Sequence, residues 1–238
     1  MIISGRNSVR EAVNSDKNIN VIYIQDSVKG SENQELIEMI KSKGYRYQFM
    51  PKGVMDRKWE RHQGFACDVE DYKYYELDEI LNLAYKSGEQ LFLLILDGIE
   101  DPHNLGSIIR TAECAGVHGI ILEKRNACDV NATVSRISAG AVNHVKIAKV
   151  TNINMVINTL KQKGVWVYAL EIGGEDIYKT NLKGDIALVI GSEGNGVSRL
   201  TKSKCDGIVT LPMKGKVNSL NASNASAIAV YEILRQRG

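Results

Sequence analysis

Apolar residues recur along this chain in two rhythms. In the first 70 residues, spacings of three and four alternate with short apolar runs. Such spacings mark helices that bury one face, and the short runs mark strands. The pattern predicts helices over 8–13, 33–42 and 54–60, and strands over 21–25, 45–50 and 64–69. Leu36, Ile37 and Ile40 give the second helix its apolar stripe, and Gly44 sits where a helix C-cap belongs. Beyond residue 90 the apolar runs lengthen. The segment 90–97, QLFLLILD, has the near-continuous apolar run of a strand buried on both faces of a parallel sheet. Further strands are predicted over 119–122, 145–147, 165–170, 186–190 and 207–210, with helices over 105–115, 130–139, 153–163, 197–203 and 224–237. Strand–helix alternation of this kind predicts an open parallel α/β sheet with helices on both faces. Between the blocks, 68–79 (DVEDYKYYELDE) is rich in acid and tyrosine and poor in aliphatic residues. The chain is therefore expected to hold a small α/β domain over 1–70, an acidic linker over 71–90 and a larger α/β domain over 91–238.

Composition narrows the class. With 238 residues, 44% of them hydrophobic, the chain can bury a sizeable core without cross-links. No run of 18 apolar residues occurs, so no membrane span is expected. The start, MIISGRNSVREAV, lacks the successive stages of a signal peptide. Cys67, Cys114, Cys128 and Cys205 are scattered without a CxxC pair. That spacing argues against a zinc site and a disulfide framework and suits a reducing cytoplasm, and no metal is expected. The net charge is +2, unevenly spread. Residues 1–66 hold eleven basic against eight acidic side chains, 67–90 two against seven, and 91–238 seventeen against thirteen. Mildly basic blocks of this size fit a nucleic-acid partner and an ordinary solvated surface equally well.

The chemistry concentrates in three loops. Parallel α/β sheets bind ligands at the carboxyl ends of their strands. Three segments that follow strands have unusual composition: 97–110 (DGIEDPHNLGSIIR), 191–200 (GSEGNGVSRL) and 211–224 (LPMKGKVNSLNASN). Glycine lets backbone approach a ligand, while Asn, Ser and Glu offer short directional hydrogen-bonding groups. Neither LEIGG (170–174) nor GSEGNG (191–196) has the order of a dinucleotide fingerprint, and GxxxxGK[ST] is absent.

Taken together, the three loops resemble the motifs of the SpoU (TrmH) family of RNA ribose methyltransferases. The first is an Asn followed six residues later by an Arg, here Asn104 and Arg110 within DGIEDPHNLGSIIRTAECAG. The second is G-[SA]-E-G-x-G, here around Glu193. The third is [IL]-P-M-x-G-x-x-x-S-L-N-x-S, here 211–223 with Ser219 and Asn221. The resemblance covers about 91–238. One departure is ASNA at 222–225, where relatives often carry VSVA; Ser219 and Asn221 are untouched. The phrases GRNSVREAV and HQGFAC look like the RNA-binding extension of the RlmB branch, which modifies large-subunit ribosomal RNA.

The resemblance implies an α/β trefoil-knot (SPOUT) domain preceded by a small L30e/L7Ae-like RNA-binding domain. It implies transfer of a methyl group from S-adenosyl-L-methionine to a ribose 2′-hydroxyl, on a guanosine of 23S rRNA, with tRNA as the second choice. It also implies a homodimer paired through the knotted domain. The cofactor would be held by backbone near Leu170, Gly191, Leu211 and Leu220, with Ile190 and Met213 beside them. Arg110 serves as the family's general base, as a phosphate clamp, or only in a surface salt bridge; a guanidinium donates and does not accept. Asn104 either orients Arg110 or the ribose, or caps the helix predicted to begin at 105. Glu193 fixes the loops or pairs with Arg110. Ser219 and Asn221 bind the ribose, shape the cofactor loop, or cap the last helix. His62, Arg199 and Lys214 are candidates for the RNA side, and Trp59 and the tyrosines at 72, 74 and 75 either stack on bases or pack internally. A non-catalytic RNA-binding assembly factor is disfavoured because Arg110, Asn104 and the Ser-Leu-Asn triplet are all present.

Overall fold

Four strands carry the first unit, Met1–Tyr72, in the computed structural model, which describes residues 1–14, 19–216 and 219–238. They are β1 (Ile2–Ser4), β2 (Ile19–Gln25), β3 (Tyr47–Met50) and β4 (Phe65–Val69), in the order β1-β4-β2-β3. β4 runs antiparallel to both neighbours, and β2 and β3 are parallel. β1 escaped the pattern because three residues are too short to show alternation. It is anchored at its start by the Met1 ammonium, 3.2 Å from Asp68 and 3.0 Å from Asp71. Helices α1 (Arg6–Asn14), α2 (Ser31–Ser42) and α3 (Lys52–Lys58) complete the unit. Val9 and Val13, Leu36 and Ile40, and Met55 are buried with Ile22, Ile24 and Phe65 of the sheet. α3 starts earlier than the apolar spacing predicts, just after Pro51, whose carbonyl accepts from Val54 N and Met55 N, and it ends where Trp59 turns extended.

The second unit, Lys73–Gly238, opens with a helix where a linker was expected. α4 (Leu77–Ser87) carries its acids on the outside and buries Ile80, Leu81 and Ala84. Glu76 and Glu79 form a reciprocal capping box, and Gly88 closes the helix at φ +74°. Each large aliphatic so buried contributes about 1.5–3 kcal/mol. Acidic composition misled here because three buried apolar residues suffice to seat a helix of eleven. Just before α4, Tyr75 pairs with Ala148 as a β-bridge. The Nζ atoms of Lys146 and Lys149 stand 4.8 and 5.1 Å from the rings of Tyr75 and Tyr74. These tyrosines pack internally.

The remaining elements are β5 (Phe92–Asp97), α5 (Pro102–Cys114), β6 (Gly119–Glu123), α6 (Ala132–Ile137), β7 (Lys146–Val150), α7 (Ile153–Gln162), β8 (Trp166–Asp176), β9 (Ile186–Gly191), α8 (Arg199–Lys204), β10 (Gly207–Thr210) and α9 (Ala222–Arg237). Six parallel strands form one sheet in the order β10-β8-β9-β5-β6-β7. Leu93, Ile95, Ile121, Val167 and Val189 form its core with Ile157 and Leu160 of α7. The helix expected over 130–139 is shorter, because Asn131 caps its start and Ala139 turns to φ +49°.

β8 departs most from expectation. It runs beyond 170, and its register with β10 jumps from Ala169↔Ile208 to Glu175↔Val209. Residues 170–174, LEIGG, therefore bulge out of the β8–β10 ladder. Gly174 permits the return: a Cβ there would collide with the Ile208 carbonyl. Among the described residues, no helix is long and apolar enough to cross a membrane.

Candidate active site

Three strand ends meet at a cavity of about 290 Å³. The β8 bulge, the 191–196 loop after β9 and the segment after β10 with the start of α9 form its walls. Leu170, Ile190, Gly191, Leu211, Met213 and Leu220, all six expected around a cofactor, line it, as does Ser219. Val217 and Asn218 of the third motif lie outside the described residues. The lining combines apolar side chains with backbone at strand ends, the composition of a small-molecule site. Ile172, Met213 and Leu220 leave large apolar surfaces exposed at this cavity.

The glycines are demanded locally. A Cβ on Gly191 would coincide with the backbone of Gly196 and Val197, and one on Gly196 (φ +62°) would strike the Glu171 carboxylate. A Cβ on Gly194, at the tip of the loop, would meet nothing.

Glu171 and Lys202 are cavity residues that the sequence reading missed. Glu171 sits in LEIGG, set aside because it lacks a fingerprint order. Its Oε2 accepts from Val197 N at 2.9 Å and lies 3.6 Å from Lys202 Nζ, while Oε1 accepts from Ile172 N at 3.0 Å. The carboxylate thus staples the bulge to the glycine loop across one side of the cavity. An acid beside two glycines at the end of a late strand was the available signal.

Asn104, Glu193 and Asn221 form one network at the cavity's edge. Asn221 Nδ2 donates to Asn104 Oδ1 at 2.9 Å and to Glu193 Oε2 at 3.3 Å. Asn104 Nδ2 donates to the same Glu193 oxygen at 3.3 Å. Asn221 also caps α9: its Oδ1 accepts from Ser223 N at 2.9 Å and Asn224 N at 3.3 Å. Both roles expected of Asn221, loop shaping and capping, therefore coexist. Asn104 is no cap. Asp101 caps α5, accepting from His103 N, and Pro102 follows at the first helical position, which puts Asn104 inside the helix and buried.

Arg110 lies eight residues into α5 and is exposed. Among the described residues, no hydrogen bond or ion pair engages it, so neither the expected pairing with Glu193 nor orientation by Asn104 occurs. Arg199, at the start of α8, and Lys214 are exposed and do not line the cavity. His62, expected on the RNA side, is 6% exposed and fully engaged. Its Nε2 lies 2.8 Å from Asp56 Oδ1 and its Nδ1 accepts from Gly64 N at 3.0 Å. It therefore braces the 59–64 loop. Trp59 packs against Tyr23, with ring centroids 4.9 Å apart.

Residues 91–231 match the family model described as SpoU rRNA Methylase family. Residues 2–75 match the model described as RNA 2′-O ribose methyltransferase substrate binding. The chain is 41% identical over 238 residues to a putative TrmH family tRNA/rRNA methyltransferase, YacO, of Bacillus subtilis (strain 168), covering 99% of this chain and 95% of that one. Its fold is similar to that of an AdoMet-bound rRNA methyltransferase from Sinorhizobium meliloti, with TM-score 0.73, 23% identity and coverage of 98% of this chain and 86% of that one. It is also similar to a TrmH/SpoU tRNA-modifying enzyme of A. aeolicus, with TM-score 0.57, 26% identity and coverage of 67% and 83%. The chain belongs to the SpoU rRNA methylase family and is an RNA methyltransferase of the TrmH/SpoU kind.

Proposed function

We propose that this enzyme transfers the methyl group of S-adenosyl-L-methionine to a ribose 2′-hydroxyl of 23S rRNA, at a guanosine, and works as a cytoplasmic homodimer. The convergence of the β8, β9 and β10 ends on one cavity carries the reading. The residues fit the donor: apolar walls at Leu170, Ile190, Leu211 and Leu220 suit an adenine, and adjacent strand-end backbone suits its polar edge. The donor supplies an electrophilic methyl group on a sulfonium. Everything else falls to the chain. Asn104, Glu193 and Asn221 hold the second and third motif loops in register. Arg110, as a donor of several N–H groups, clamps a phosphate beside the target ribose and favours the developing 2′-oxyanion.

Ribosomal RNA is favoured over tRNA because the chain carries the substrate-binding unit over 2–75. The rRNA-named S. meliloti enzyme matches nearly the whole chain, whereas the tRNA-named A. aeolicus enzyme matches two thirds. The dimer would cover the exposed Ile228, Tyr231 and Leu234 on α9, which packs along α5.

The test is incubation with methyl-labelled donor and separate rRNA and tRNA pools, followed by alkaline hydrolysis. A 2′-O-methyl group blocks cleavage at its own position, so label in an alkali-resistant dinucleotide from rRNA is expected. Label released as single nucleotides would overturn ribose methylation, and label in tRNA alone would overturn the rRNA assignment.

A further inference from the structure

We propose that strand β3 and the end of α2 form a stacking platform for single-stranded RNA, an inference that rests on RNA being the substrate. The segment 41–49 reads KSKGYRYQF: three aromatics at alternate positions, three basic residues and no acid. From 39 to 55 the chain carries Lys41, Lys43, Arg46 and Lys52 without one Asp or Glu.

The structure puts this composition on a surface. β3 is the edge strand of its sheet, paired only with β2 among the described residues. Tyr47 and Phe49, two apart, share one face of it and are 38% and 49% exposed. Their rings meet edge to face at 5.8 Å. Lys41 Nζ sits 6.0 Å from the Tyr47 ring centroid, and Arg46 is exposed next to it in sequence. Lys43 is held to Val13 O at 2.9 Å and so stiffens the turn leading into the strand. The nearest acid in sequence, Glu38, lies one turn earlier on α2.

Large aromatics on an edge strand are a liability unless something covers them. The charge names the occupant. A second copy of the same face would bring like charges together, whereas a polyanion would gain. Aromatic rings with basic neighbours bind unpaired bases by stacking, with little regard to sequence. Residues two apart in a strand stand about 6.7 Å from each other, which suits successive bases of an extended single strand. Duplex RNA, with its bases stacked inside, offers the rings nothing.

The experiment uses the full chain and fluorescence anisotropy with a labelled single-stranded oligoribonucleotide and its duplex. Tyr47→Leu and Phe49→Leu keep apolar bulk but remove the π face; Tyr47→Phe restores it. The single strand is expected to bind more tightly than the duplex. Each Leu substitution is expected to weaken single-strand binding about tenfold, with Tyr47→Phe near wild type. Arg46→Gln is expected to reduce the salt slope by about one. Calorimetric affinity for S-adenosylhomocysteine and native mass should stay constant. Unchanged RNA affinity in the Leu double variant overturns the platform. A drop in native mass overturns it in favour of a contact between copies. If wild type binds neither RNA probe, the RNA reading fails at this unit, and the platform with it.

Discussion

Replacing Glu171 with Ala removes a side chain that ties the β8 bulge to the glycine loop. Val197 N loses its acceptor at 2.9 Å, and Val197 is buried, so water cannot readily replace it. A hydrogen bond to a charged group contributes about 1.5–3 kcal/mol, and an orphaned buried donor costs a similar amount. Ile172 N loses its acceptor too, but Ile172 is exposed and rehydrates at little cost. The pairing with half-exposed Lys202 at 3.6 Å adds well under about 1 kcal/mol after screening. The sum is about 2 kcal/mol. Because the staple closes a wall of the cavity proposed to take the donor, this energy is expected to count towards donor binding. Calorimetric titration with S-adenosylhomocysteine should show affinity falling by up to about thirtyfold. The second unit should melt about 4–8 °C lower. Glu171→Gln should fall between: its amide oxygen can serve Val197 N, but its NH2 then faces Ile172 N. The turnover rate at saturating donor should change little, because Glu171 acts on the wall and not on the reacting atoms. Wild-type affinity in Glu171→Ala alongside a lowered melting temperature would refute this, leaving Glu171 as scaffold only.

Four further outcomes follow from the geometry. Leu81→Ala should destabilise the second unit by about 2–4 kcal/mol in urea unfolding, whereas a substitution in a true linker would be silent. Asn221→Ala should cost about 1–2 kcal/mol as a lost cap, and, by freeing Asn104 and Glu193, should also reduce methyl transfer at least tenfold. Burial pushes the Cys205 thiol up to about 11, first by desolvation and then by nearby Asp206. The folded state therefore keeps this proton while the unfolded chain loses it near its ordinary value of 9.0. That contribution to stability is intact below pH 9 and declines as pH rises towards 11. A thiol reagent at pH 8 should accordingly label exposed Cys114 far faster than Cys205.

How much the sequence disclosed depended on the signal each element carried. The all-parallel sheet was legible because runs such as FLLILD and IALVIG leave little choice but a strand covered on both faces. That six expected positions would line one cavity, and that Asn104, Glu193 and Asn221 would meet beside it, was legible through motifs with many fixed residues. α4 was not, because overall acidity masked an apolar face made by the neighbours Ile80 and Leu81 and, one turn on, Ala84. The β8 bulge was not, because a register jump depends on which strand lies alongside, and β10 is encoded more than thirty residues later. The burial of His62 was not legible because a motif names a residue without saying which way its ring points; Asp56 and Gly64 decide that.

The spacing between Asn104 and Arg110 says more in three dimensions than in one. Both belong to α5, and six helical residues advance about 9 Å along the axis and about 600° around it. Arg110 thus projects about 120° away from Asn104. Asn104 turns inward, buried beside Glu193 and Asn221, while Arg110 turns out to solvent. The motif's two residues therefore sit in different surroundings: one is bonded among the loops, and the other is open to solvent. Arg110→Ala should bind S-adenosylhomocysteine as wild type does and shift stability by no more than about 0.5 kcal/mol, as expected for an exposed side chain without partners among the described residues. Its methyl transfer should fall at least a hundredfold. Asn104→Ala should instead lower stability and transfer together. Turnover retained in Arg110→Ala, or loss of donor affinity there, would remove the outward-facing role from this residue and return it to the fold.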